Sequence, residues 1–201
     1  MTTYQAEQIR RFLEAVDKHL RRPVRLVVIG GSAALLQHGA RSPTRDIDAF
    51  EGNPALVKDA AALAETEIGF AVPIGSAAVA DLPLHYEDRQ QRPLPHLRRL
   101  DVVVPDRHDL VLSKLVRASQ ADLAVCKEMH EHKLLDPTKL VKRHLDEMNH
   151  AIGRQADRDQ NLLAAIEFMW DAETADRAQQ LIDQRRSHER ARRPRRKKRG
   201  S

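Results

Sequence analysis

The sequence predicts an α/β (α+β) fold: a small mixed β-sheet with flanking helices, followed by a C-terminal helical region. Three observations lead there. Val24 to Ile29 is an unbroken β-branched and aliphatic run that stops at Gly30-Gly31 and passes straight into a small-residue amphipathic segment, Ser32 to His38; this is the pattern of strand, tight turn and helix. Strand character returns twice, in Asp46 to Phe50 and in Leu97 to Val104. Beyond Val104 the apolar residues recur only at three- and four-residue spacing, which is helical.

The elements follow in order. Ile9, Phe12, Leu13, Val16 and Leu20 line one face of an amphipathic helix over Gln5 to Leu20. Arg22-Pro23 ends it and starts the first strand. Asn53-Pro54 opens a helix to about Ile68, with Asn53 as its cap and Pro54 in the first turn. Residues Gly69 to Pro95, with prolines at 73, 83, 93 and 95, read as edge strands or as a loop over the site; His85, Tyr86 and Glu87 read as ordinary loop residues, with contact to a substrate as the alternative. Alternation over 97–104 puts Leu97, Arg99, Asp101 and Val103 on one face of a strand. Helical segments then cover Asp109 to Ala118, Ala121 to Leu134, Pro137 to Ile152 and Arg158 to Arg186, with Trp170 and Met169 as core residues. The expected organisation is a core over residues 1–108, a helical region over 109–184 packed on it, and a disordered basic tail over 185–201.

With 201 residues the chain can bury one sizeable core. The only cysteine, Cys126, excludes an intramolecular disulfide; at an apolar helical position it reads as a buried structural thiol. No apolar run approaches the ~18 residues of a membrane span, and the N-terminal stretch has no signal-peptide core. A cytoplasmic location is expected. The formal net charge of +5 is concentrated in Arg185 to Arg199, which hold ten Lys or Arg and one acid, leaving −4 for the rest. Such a run suits RNA or another polyanion through phosphate neutralisation, or extends a helix as its polar end. His130-x-His132 does not share a helix face and reads as solvent-facing, and Asp46-x-Asp48 lacks the remaining ligands of a calcium loop.

The chemistry centres on Val24 to Phe50. Two glycines at the mouth of a helix let backbone N–H groups approach an anion, and the helix N-terminus adds partial positive charge, so phosphate is the natural guest of Gly30 and Gly31, with Ser32 adding a hydroxyl. Asp46 and Asp48, two residues apart, face the same way on a strand and lie roughly 6.6 Å apart along it. Such hard oxygen ligands favour Mg²⁺. A phosphate cradle beside a carboxylate pair is what metal-assisted phosphoryl or nucleotidyl transfer requires.

Gly30-Gly31-Ser32, a helix, then Asp46-Ile-Asp48 resembles the signature of the polymerase-β-like nucleotidyltransferase superfamily. The fuller string from Gly30 to Asp48, with Arg41 and Thr44 ahead of the carboxylates, is most similar to small bacterial nucleotidyltransferases related to AbiE-type toxins of toxin–antitoxin modules. A second segment, Asp109-Leu-Val-Leu-Ser-Lys114-Leu followed by Arg117 and Asp122, resembles the family's helix whose lysine and later acid face the nucleotide. The resemblance implies NTP as substrate, two Mg²⁺ ions, and transfer of an NMP to a hydroxyl acceptor. Asp46, Asp48 and Asp101 would be the catalytic and metal-binding acids, with Asp106 as the alternative third acid. Gly30, Gly31, Ser32, Arg41, Thr44, Lys114 and Asp122 would bind the nucleotide. A tRNA 3′ end is the acceptor that the toxin resemblance suggests, with an antitoxin protein as a further partner. The competing reading is a catalytically inactive nucleotide-sensing or partner-binding module with a nucleic-acid-binding tail.

Overall fold

The computed structural model describes residues 2–51, 54–77 and 80–192. Its centre is a four-stranded mixed sheet of β1 (Val24–Ile29), β2 (Ile47–Glu51), β3 (Ile74–Ser76) and β4 (Leu100–Val103), in the order β3-β2-β1-β4. β1 runs antiparallel to β2 and parallel to β4, while β2 and β3 are parallel. The expected mixed sheet with flanking and C-terminal helices is therefore the observed architecture.

The alternation of β1 sends its side chains into two apolar layers. Val24, Leu26 and Val28 join the main core with α1 (Ala6–His19), whose Ile9, Phe12, Leu13 and Val16 are all buried. Val27 and Ile29 face a smaller cluster with Leu82, Tyr86 and Val103, packed against Phe50, Ala77 and Ala80. Tyr86 is thus a buried residue rather than an ordinary loop residue. The C-terminal end of α1 also fixes β4: the Asp17 carboxylate accepts the N–H groups of Arg98, Arg99 and Leu100 at 3.1, 2.7 and 2.7 Å.

Between the strands lie α2 (Gly30–Gln37), which begins where β1 ends, and α3 (Lys58–Ile68), which follows a 3-10 turn at Pro54–Val57 and packs on α1. The expected cap Asn53 lies outside the described residues. The segment from Gly69 to Pro95 contains the short strand β3 and a 3-10 turn at Tyr86–Arg89. Arg89 fastens that turn to the helices: its Nε donates to Asp109 Oδ2 at 2.9 Å and its Nη2 to Glu147 Oε2 at 2.7 Å. Asp109 is fully buried and also accepts from Arg143 Nη1 at 2.7 Å.

The helices after the sheet are α4 (Arg107–Arg117), α5 (Gln120–His132), α6 (Pro137–Glu147), α7 (Gln155–Met169) and α8 (Ala172–Arg192). α4 packs against α2, which ties the helical region to the sheet beside the glycine turn. Two expectations differ here. The apolar spacing over 158–186 suggests one helix, but the chain breaks at Trp170 and Asp171, where the Asp171 carboxylate accepts the Thr174 N–H at 2.7 Å and starts α8. The disordered tail was expected from residue 185, yet α8 continues to Arg192. Arg185 pairs with Asp146 at 2.7 Å and Arg186 with Asp159 at 3.1 Å, so these two cations dock the helix. The rest of the basic run, 193–201, lies outside the described residues.

Candidate active site

The glycine turn and Asp48 meet at the C-terminal end of β1, while Asp46 stands just ahead of β2, close enough for its charge to act on Asp48 but not lining the cleft. Ile29 pairs with Asp48 across the β1–β2 ladder, so the strand that ends in Gly30 carries the carboxylate beside it. Gly30 has φ of +69°, and a Cβ there would lie 2.8 Å from Asp48 Oδ2. Only glycine combines that backbone conformation with so close an approach. Gly31 is constrained differently: a Cβ would meet Thr44 Oγ1 at 3.0 Å. Thr44 itself is pinned by paired backbone bonds with Tyr4, at 2.7 and 3.1 Å, just before Asp46. The two glycines therefore admit the two residues that frame the acidic segment.

No side chain caps the N-terminus of α2, and its first turn contains no acid. Its leading N–H groups are thus available to an anion, and the helix dipole favours one. Ser32 contributes less than expected: it is buried and its Oγ donates to the Ile29 carbonyl at 3.1 Å. The cradle is made of backbone.

A cleft of about 400 Å³ opens at this point, lined among others by Gly30, Asp48, Lys114, Arg117 and Asp122. The last three form a unit. Asp122 is buried, accepts from Arg117 Nε and Nη2 at 2.8 and 2.9 Å, and lies 3.4 Å from Lys114 Nζ. It also closes a capping box with Ser119 at the start of α5. Burial works to raise its pKa, but the bonds from Arg117 and Ser119 and the charge of Lys114 outweigh it and bring the carboxyl down to about 2. Asp122 is therefore an anion that orients two cations. Arg117, one turn beyond Lys114 on the same helix face, was not among the sequence candidates; that spacing was the available signal.

Asp48 is shifted the other way. Burial and then the charge of Asp46 push its carboxyl above the usual range, against the opposing pull of Lys114 and Arg117. Two neighbouring carboxylates that repel each other are relieved by a cation. This donor set fits Mg²⁺, which commonly takes one or two protein carboxylates and completes its shell with water and substrate phosphates. Among the described residues no group of three or more His, Cys, Asp or Glu side chains converges as a metal site.

The expected third acid is accordingly not assembled with the pair. Asp101 pairs in register with Arg25, whereas Asp48 pairs with Ile29, four residues further along β1. At ~3.3 Å per residue and ~4.8 Å per strand, Asp101 and Asp48 stand roughly 16 Å apart. Asp101 is bound instead by Arg92 Nε at 2.8 Å. Asp106 caps α4 through the His108 N–H at 3.1 Å and pairs with Arg143 Nη1 at 2.5 Å. Despite its burial, His108 and Arg143 hold it well below the ordinary carboxylate range. Neither acid lines the cleft. Arg41 is also elsewhere, its Nη2 donating to Glu131 at 2.9 Å on α5.

Other residues resolve simply. Cys126 is fully buried, and burial pushes its thiol up to about 12. His130, expected in solvent, is buried with its ring 4.2 Å from that of Trp170, and its Nδ1 accepts the Leu135 N–H. The cleft also takes in Ala80 and Asp81 from the aperiodic segment after β3, and Ile152, which the apolar spacing over 137–152 assigns to a helix but which lies in the loop beyond the end of α6 at Glu147.

Residues 5–175 match the model of a family described as "Nucleotidyltransferase of unknown function" (DUF6036). No curated protein and no solved structure matches the chain.

Proposed function

The chain belongs to this nucleotidyltransferase family, and from that premise we propose that it transfers an NMP from an NTP to a hydroxyl acceptor in the cleft between α2 and α4, releasing pyrophosphate. The observation that carries this reading is the approach of Asp48 to Gly30 at the uncapped start of α2, with Lys114 and Arg117 lining the same cleft. The N–H groups of α2 hold the polyphosphate. Lys114 and Arg117 neutralise its charge, and more strongly as negative charge builds in the transition state. Asp122 keeps both cations aimed by holding its own proton off. Asp46 and Asp48 hold Mg²⁺, which when bound screens the triphosphate and favours the ionised acceptor hydroxyl.

The resemblance to AbiE-type toxins favours an RNA acceptor such as a tRNA 3′ end, and a partner antitoxin; the basic run at 190–199 is compatible with RNA. A second reading, nucleotide sensing without transfer, draws support from the separation of Asp101 from the carboxylate pair. Incubation with each α-³²P-labelled NTP, Mg²⁺ and total bacterial RNA distinguishes them on a denaturing gel. Label entering tRNA-sized bands, and lost in Asp46→Asn/Asp48→Asn, is expected. NTP binding without label in RNA, protein or small molecules would favour sensing.

A further inference from the structure

We infer that Asp81 and Ile152 form the nucleobase subsite of the cleft, and that Asp81 favours bases carrying an exocyclic amine over uracil. The inference rests on the nucleotide-transfer reading above. With the polyphosphate held by α2, Lys114 and Arg117, the nucleoside must occupy the remaining lining. That lining is apolar at Ala77, Ala80, Val116 and Ile152, and its one charged side chain is Asp81. At about 400 Å³ the cleft falls within the ~300–1,000 Å³ of small-molecule sites.

Ile152 is 62% exposed yet lines the cleft. Single exposed apolar residues are common on protein surfaces; Ile152 stands apart because it borders the cleft and its backbone is held from two sides. Its N–H donates to Asp81 Oδ1 at 3.3 Å. Its carbonyl, with those of Ala151 and Gly153, accepts from Nη1 of the buried Arg158 at 3.2, 2.8 and 2.5 Å. The loop between α6 and α7 is thereby fixed with its apolar side chain at the lip, a surface on which a flat base can rest.

Asp81 supplies the edge chemistry. An ionised carboxylate offers about four acceptor positions and no donor; the Ile152 N–H takes one. The others suit the amines of adenine, cytosine or guanine. Uracil has no exocyclic amine; its one base-edge donor, N3–H, sits between two carbonyl oxygens that the carboxylate repels and cannot satisfy, which makes uracil the disfavoured base.

The test is equilibrium binding of ATP, CTP, GTP and UTP to the full chain with Mg²⁺, for wild type, Asp81→Asn and Ile152→Ala. Wild type should bind UTP about tenfold more weakly than the best of the other three. Asp81→Asn should erase that ratio, because its amide can donate to the uracil carbonyl while its oxygen still accepts the Ile152 N–H. Ile152→Ala should weaken all four alike, by roughly fivefold. Thermal melts establish that each variant is folded. Equal binding of the four by wild type, or an unchanged ratio in Asp81→Asn, overturns the subsite. Failure of folded wild type to bind any NTP overturns the nucleotide-transfer reading, and the subsite with it.

Discussion

The Asp48 carboxylate lies against the backbone of Gly30, with Oδ2 only 2.8 Å from the point a Cβ would occupy. The start of α2 and the Asp48 carboxylate are thus in direct contact, and a side chain added at Gly30 displaces the acid.

Gly30→Ala should therefore damage both stability and binding. The left-handed φ of +69° alone costs an L-residue about 1 kcal/mol, and the carboxylate must also move. We expect roughly 1–3 kcal/mol of destabilisation in urea titrations and at least a tenfold loss of NTP affinity. Gly31→Ala, which meets the Thr44 side chain with Oγ1 at 3.0 Å and Cβ at 3.3 Å but has no left-handed φ, should be the milder change; the reverse order would contradict this geometry.

Removing one member of the carboxylate pair should stabilise the metal-free protein. Burial and Asp46 together raise the Asp48 pKa, so the pair costs nothing below the ordinary carboxylate pKa and its full penalty is present once pH exceeds the raised value. At pH 7 in EDTA, Asp46→Asn should raise the Tm, by about 0.5–1 kcal/mol of stability. Added Mg²⁺ should stabilise wild type and leave the variant nearly unchanged. A variant that melts lower than wild type in EDTA would refute the repulsion argument.

Asp122 has the opposite sign. Its folded pKa, about 2, lies below the unfolded value, so its contribution is complete above pH ~4 and disappears as pH falls through 2. Asp122→Asn should cost on the order of 2 kcal/mol at pH 7. The gap from wild type should narrow steadily as urea titrations are taken from pH 5 to pH 3. A gap constant over that range would show that Asp122 acts through packing rather than charge.

Much of this was legible in the sequence because it is local. The abrupt end of Val24–Ile29 at two glycines specifies strand, turn and helix within fifteen residues; the strand period reads Asp46 and Asp48 as sharing a face, but β2 begins only at Ile47, so period alone covers Asp48 and not Asp46. Asp101 was placed on the correct face by the same alternation. Its distance from Asp48, however, is set by the register Arg25↔Asp101 and Ile29↔Asp48, and register is decided by pairing that no single strand encodes. The break between α7 and α8 was hidden because apolar spacing continues across it, although Asp171-x-x-Thr174 is a cap signature. Asp81 was not legible, since nothing in an aperiodic loop says which cleft it will border, and apolar spacing reads Ile152 as the last residue of a helix that in fact stops at Glu147.

The hold of Arg89 on Asp109 and Glu147 gives the protein a timetable. As the chain emerges from the ribosome, the glycine turn and both carboxylates are present within the first fifty residues. The segment after β3 lays Leu82 and Tyr86 on Val27 and Ile29 of β1, but Arg89 meets its two carboxylates only once α4 and α6 follow, and Ile152 comes later still. The cleft beside Gly30 thus acquires Ile152 about a hundred residues after Asp48 has been made, so a nascent fragment displays that acid well before the cleft around it is complete.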